Sequence, residues 1–96
     1  MRATQNVDLM RAFAAEVKAR RGELGFSQEE LAHHSEVNRT FVAKVELAQN
    51  QPSLTVLHKL SDGLEMELPE LIAKTLRRYH QLLKAKGSAI EASSPL

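Results

Sequence analysis

The chain has no cysteine and no tryptophan, and its 96 residues include only three prolines, four glycines, three phenylalanines and one tyrosine. Without cysteine there is no disulfide framework, no thiolate zinc site and no thiol catalysis. The longest apolar run is Ala12-Phe13-Ala14-Ala15, too short for a membrane-crossing helix or a signal-peptide core. A soluble cytoplasmic protein is the default expectation. An excess of one charge sign is also missing. Thirteen Lys and Arg face twelve Asp and Glu, a net charge of +1, which excludes binding nucleic acid by bulk charge alone. The length admits one domain, or one small domain with an appendage, and a chain this size buries roughly 60–65% of its unfolded surface in a single modest core.

What is present is helical periodicity. β-Branched runs are absent and apolar residues recur at spacings of three and four, which predicts an all-α protein of five helices. The first helix is expected over about Val7–Leu24, with Leu9, Phe13, Val17 and Leu24 as its inner stripe, widened by Met10 and Ala14, and Gly25 ending it. Ser27-Gln28-Glu29-Glu30 reads as a capping box opening a two-turn second helix whose Leu31 and Ala32 point inward. Asn38 is a fresh N-cap for a third helix from Arg39 to about Ala48. Ser53 caps a fourth, with Leu54, Leu57, Leu60 and Leu64 inward. Pro69 suits the first position of a fifth helix that would reach Lys86 over ~27 Å. Acids cluster at Asp62, Glu65, Glu67 and Glu70, and bases follow at Lys74, Arg77, Arg78, Lys84 and Lys86. Residues 87–96 read as a disordered tail.

The short pair of helices at 27–48 is the informative feature. Two helices joined by a tight turn match the helix-turn-helix, whose second helix lies in the DNA major groove. With ~100° per residue, Val42, Val45 and Glu46 share an inward face of the third helix. Thr40, Lys44 and Leu47 lie opposite, Ala43 at the edge, and Arg39 at the N-terminal tip.

From Phe13 to Ile72 the sequence resembles the Cro/repressor-type helix-turn-helix family of phage repressors and bacterial regulators. The segments RRGELGFSQEELA, VNRTFVAKVE, QPSL and LHKLSDGLEMELPELI carry the likeness, each in order and at the family's spacing. VNRTF followed by a glutamate is also similar to the small, dimeric controller proteins of restriction–modification systems. The resemblance implies a compact DNA-binding domain over 1–72, which leaves 73–86 as an extension of the fifth helix. Gln28 matches a phosphate-contacting position. Arg39, Thr40 and Lys44 match base-reading positions, and Phe41 one that flanks the sugar–phosphate backbone. Asn38, Asn50 and Gln51 are candidate phosphate contacts. Arg21 and Glu46 match a structural ion pair. Glycine is common in the family at the positions held here by Glu36, Ala48 and Glu65, so Glu36 is expected in a left-handed conformation at a cost of about 1 kcal/mol.

Other chemistries find less support. His33 and His34 are adjacent and diverge by about 100° on a helix, unlike ligands at i and i+4. No acid is expected at ligand spacing beside His58 or His80, so no metal site and no cofactor are expected. There is no glycine-rich phosphate loop and no nucleophile elbow, so no enzyme is expected. Beyond Ile72 the stripe Leu76, Tyr79, Leu82 and Leu83 would stand in water in a monomer, which points to a homodimer interface. The reading is therefore a homodimeric transcriptional regulator on a double-stranded, pseudo-palindromic operator. Two rivals are an antitoxin that autoregulates its operon while binding a toxin protein, and a protein-interaction module that does not bind DNA.

Overall fold

Each of the first four helices starts on a side chain that satisfies an orphan backbone N–H. The computed structural model describes residues 5–92, with side-chain surroundings through Gly87. Asn6 accepts from the Leu9 N–H and opens α1 (Val7–Leu24). Ser27 opens α2 (Gln28–Ser35) with both bonds of the capping box, 3.0 Å from the Glu30 N–H to its hydroxyl and 2.9 Å from its own N–H to the Glu30 carboxylate. Asn38 caps α3 (Arg39–Glu46) and Ser53 caps α4 (Leu54–Gly63). The fifth helix, α5, spans Leu68–Ala92. The fold is all-α, as expected.

The same four helices close alike. A residue in the left-handed conformation follows each, and the next N–H reaches back to a carbonyl five residues earlier: Phe26 to Arg21, Val37 to Ala32, Gln49 to Lys44 and Met66 to Ser61. This Schellman closure satisfies the last carbonyls of a helix and favours glycine at the turning residue. Only α1 has one, Gly25 at φ 73°; the others use Glu36 (φ 57°), Ala48 (φ 57°) and Glu65 (φ 54°). These are the three positions where the family resemblance implies glycine. Because Ala48 turns, α3 ends at Glu46, short of the expected boundary.

The core joins Phe13 and Val17 of α1, Leu31 and Ala32 of α2, Val42 and Val45 of α3, Leu60 and Leu64 of α4, and Met66 and Leu71. Gly63 lets α2 and α4 meet closely, since a Cβ there would overlap the Ser35 hydroxyl. One expectation fails: Leu54 is 74% exposed rather than inward. It sits roughly a quarter-turn around the axis from Leu57, Leu60 and Leu64, at the first helical position, beyond the reach of the core.

The fifth helix differs most from the sequence reading. Pro69 is its second residue, and Gly87 does not end it. A glycine inside a helix costs only about 1 kcal/mol against alanine, so the helix continues through Ala92 where a tail was expected; residues 93–96 of that tail lie outside the described residues. α5 packs antiparallel on α1. Arg78 pairs with buried Glu16 at 2.8 Å, Lys86 with Asp8 at 2.7 Å, and Asn6 donates to the Tyr79 hydroxyl at 2.9 Å. Among the described residues no helix is long and apolar enough to cross a membrane.

Candidate nucleic-acid interface

The inner face of α3 is fully committed. Val42 and Val45 are buried, and the Glu46 side chain is 3% exposed. Glu46 is held by a bidentate bond from Arg21, Nε to Oε2 at 2.6 Å and Nη2 to Oε1 at 2.8 Å. Arg21 spends its remaining Nη1 on the Phe26 carbonyl at 2.8 Å, at the α1–α2 junction. Gln28 donates to Glu46 Oε1 at 3.2 Å. One carboxylate thus ties α1, α2 and α3 together, and a fork-on-fork pair of this type fixes angle as well as distance. Burial alone would raise the Glu46 pKa. The hydrogen bonds from Arg21 and Gln28, helped by the charges of Arg21 and Lys18, outweigh it and hold the carboxyl below its ordinary value. The same bond raises Arg21.

The outer face is open. Arg39, Thr40 and Lys44 are exposed, and none of them has an ion-pair or side-chain hydrogen-bond partner among the described residues. The first turn of α3 holds no acid, so the positive end of the helix and the Arg39 guanidinium stand together. The start of α2 is less hospitable to an anion, because Glu29 and Glu30 lie in its first turn.

The other anticipated contacts are placed unevenly. Gln28 is half-buried, with its amide nitrogen engaged by Glu46, a bond with no signature in local spacing. Asn38 is exposed but uses its side-chain oxygen on the Phe41 N–H at 2.7 Å, leaving its NH2 to donate outward. Phe41 is half-buried and packs on the core. Asn50 is half-buried; Gln51 lines an apolar groove between α1, α4 and α5. No side-chain bond brings either to α3 among the described residues. Nothing in the local sequence singles out Arg20, which donates to the carbonyls of Leu64 and Glu65 at 2.9 and 3.3 Å, steadying the strained end of α4.

The stripe on α5 divides. Leu76 and Leu83 are 38% and 41% exposed. Tyr79 and Leu82 are half-buried, Tyr79 through its bond to Asn6 and Leu82 beside Arg11, Ala12 and Ala15. The expectation that a monomer leaves the whole stripe in water is corrected: α1 covers half of it.

All four histidines are exposed. His34 stacks on Phe26 with ring centroids 4.6 Å apart and meets His33 edge-on. An acid does lie beside His58, contrary to the sequence reading: Asp62 comes within 3.7 Å. No group of three potential metal ligands occurs among the described residues.

A short helix locked to its scaffold on one face and presenting cationic and hydroxyl side chains on the other is a helix-turn-helix module, and with its family this fold is that of a DNA-binding transcriptional regulator. The chain belongs to the helix-turn-helix family, whose pattern matches residues 17–71. No curated protein matches it. Among solved structures it is similar to the clp gene regulator ClgR from Corynebacterium glutamicum, at 20% identity and a TM-score of 0.79, over 92% of this chain and 96% of that one. The restriction–modification controller protein C.AhdI from Aeromonas hydrophila is 35% identical, with a TM-score of 0.63 over 65% of this chain and 94% of that one. The controller protein C.Esp1396I is 23% identical, with a TM-score of 0.71 over 76% of this chain and 95% of that one.

Proposed function

We propose that the protein regulates transcription as a homodimer bound to a pseudo-palindromic operator. Residues 1–72 form the DNA-binding unit. Arg39, Thr40 and Lys44 read base edges, while Gln28, Asn38, Asn50 and Gln51 contact phosphates and Phe41 flanks the backbone. The observation that carries this reading is the asymmetry of α3, whose inner face is wholly bonded and whose outer face leaves Arg39, Thr40 and Lys44 unpartnered among the described residues. A nearly neutral chain needs a second contact set on the same duplex, and a dimer supplies it.

Leu76 and Leu83 are exposed along α5, and Leu76 borders an open apolar groove of about 370 Å³ lined also by Leu9, Phe13, Leu57 and Ile72. Contiguous apolar surface of this kind supports an isologous contact between two copies, which would set the two α3 helices about 34 Å apart, one helical turn of DNA. The likeness to restriction–modification controller proteins agrees with a regulator of this size.

Selection of bound sites from random duplexes by the full chain tests the reading. Two inverted half-sites one turn apart are expected, with a dimer in sedimentation at micromolar protein. A single unsymmetrical half-site bound by a monomer refutes the dimer, and recovery of no enriched sequence refutes base reading.

A further inference from the structure

Leu47 is 66% exposed and has no place in the core cluster or among the residues packed on it. A lone exposed leucine is ordinary; its position is what sets it apart. Although α3 ends at Glu46, the Leu47 N–H still donates to the Ala43 carbonyl at 3.1 Å, with φ −93° and ψ 4°. The residue therefore keeps the helical register. Seven residues after Thr40 it lies within about 20° of the same line along the axis, and three after Lys44 within about 60°. It is the one large apolar side chain on the face that carries Thr40 and Lys44.

Resting on the DNA-reading assignment above, we propose that Leu47 is a specificity-determining residue that packs on the 5-methyl group of a thymine. The major-groove edges of base pairs present donors, acceptors and a single apolar group, the thymine methyl. A leucine brought against that surface gains only where the methyl stands. Against a G·C pair it covers polar atoms that it cannot bond, so they lose their water without compensation. Leu47 thus adds a preference for A·T where Lys44 and Arg39 favour guanine.

The experiment uses a duplex selected by the full chain, with each thymine replaced in turn by deoxyuridine, which lacks only the methyl. The wild type is expected to lose about fourfold in affinity at one thymine per half-site, the worth of one buried methyl-sized group, and Leu47→Ala to bind thymine and deoxyuridine equally there. Leu47→Met, which keeps an apolar tip, should retain the sensitivity. A deoxyuridine profile identical in wild type and Leu47→Ala overturns the proposal while the DNA reading stands. So does a loss in Leu47→Ala spread evenly over all duplexes. Failure to select any duplex removes the DNA reading itself, and the proposal with it.

Discussion

Three helices of this protein turn out of their last residues through a left-handed residue that is not glycine, and replacing each by glycine should stabilise the fold. Glu36, Ala48 and Glu65 have φ of 57°, 57° and 54°. A side chain in that region costs about 1–2 kcal/mol, and glycine gives back roughly 0.5–1 kcal/mol of that through the extra freedom of its unfolded chain. The net gain is about 0.5–1 kcal/mol per site. Neither glutamate side chain makes a hydrogen bond or ion pair among the described residues, so little is lost with it. The Arg20 bond at Glu65 goes to a backbone carbonyl and survives the change. The three turns lie at separate junctions, where effects of this kind add. Together Glu36→Gly, Ala48→Gly and Glu65→Gly should contribute about 2 kcal/mol and raise Tm by about 8–16 °C for a domain of this size. Urea unfolding followed by circular dichroism, with an unchanged m-value, reads the gain; Gly25→Ala serves as the inverse control and should cost about 1 kcal/mol. A triple variant no more stable than the parent would refute the view that strain is stored at these turns.

Two further outcomes follow from named contacts. Glu46 is held below its ordinary value of 4.5, so its contribution to stability is present above that pH and is lost as pH falls through the depressed folded-state value. Glu30 is also lowered, by the Ser27 amide and hydroxyl, and its contribution is likewise lost on acidification. Glu46→Gln should therefore flatten part of the acid limb of a stability–pH curve, and Glu46→Ala should cost about 3 kcal/mol by stranding Arg21; an acid limb unchanged by Glu46→Gln contradicts the assignment. Gly63→Ala should destabilise by about 1–3 kcal/mol through overpacking against Ser35. Adding Ser35→Ala, which removes an unbonded buried hydroxyl, should recover part of that in thermal unfolding, and a purely additive double variant would argue against the contact.

Much of this architecture could be read from local chemistry. Ser27 with Glu30, Asn38, Ser53 and Gly25 mark helix ends because capping is decided within a few residues, and the division of α3 into a buried and an open face follows from periodicity alone. The features that escaped depend on chain segments far apart in sequence. Gly87 looks like a stop because propensity is local, yet α5 runs past it, its preceding turns held on α1 by pairs such as Asp8–Lys86. Leu54 has the right spacing to be buried but lies outside the arc the core covers. The Arg21–Glu46 pair follows from the family resemblance, whereas Gln28 as its third participant does not, because nothing in its neighbourhood announces a partner 18 residues away. Arg20 reaching the α4 carbonyls is equally silent in the sequence.

Base-pair reading by the outer face of α3 is tested most directly by Arg39→Ala. Affinity of wild type and variant is measured on a selected operator and on random duplex of the same length and salt. An arginine that donates to guanine is worth about 1–3 kcal/mol of discrimination, so the variant should lose between roughly fivefold and 150-fold on the operator, keep its helicity, and change little on random DNA. Equal weakening on both duplexes, or none on either, would contradict base reading by this helix.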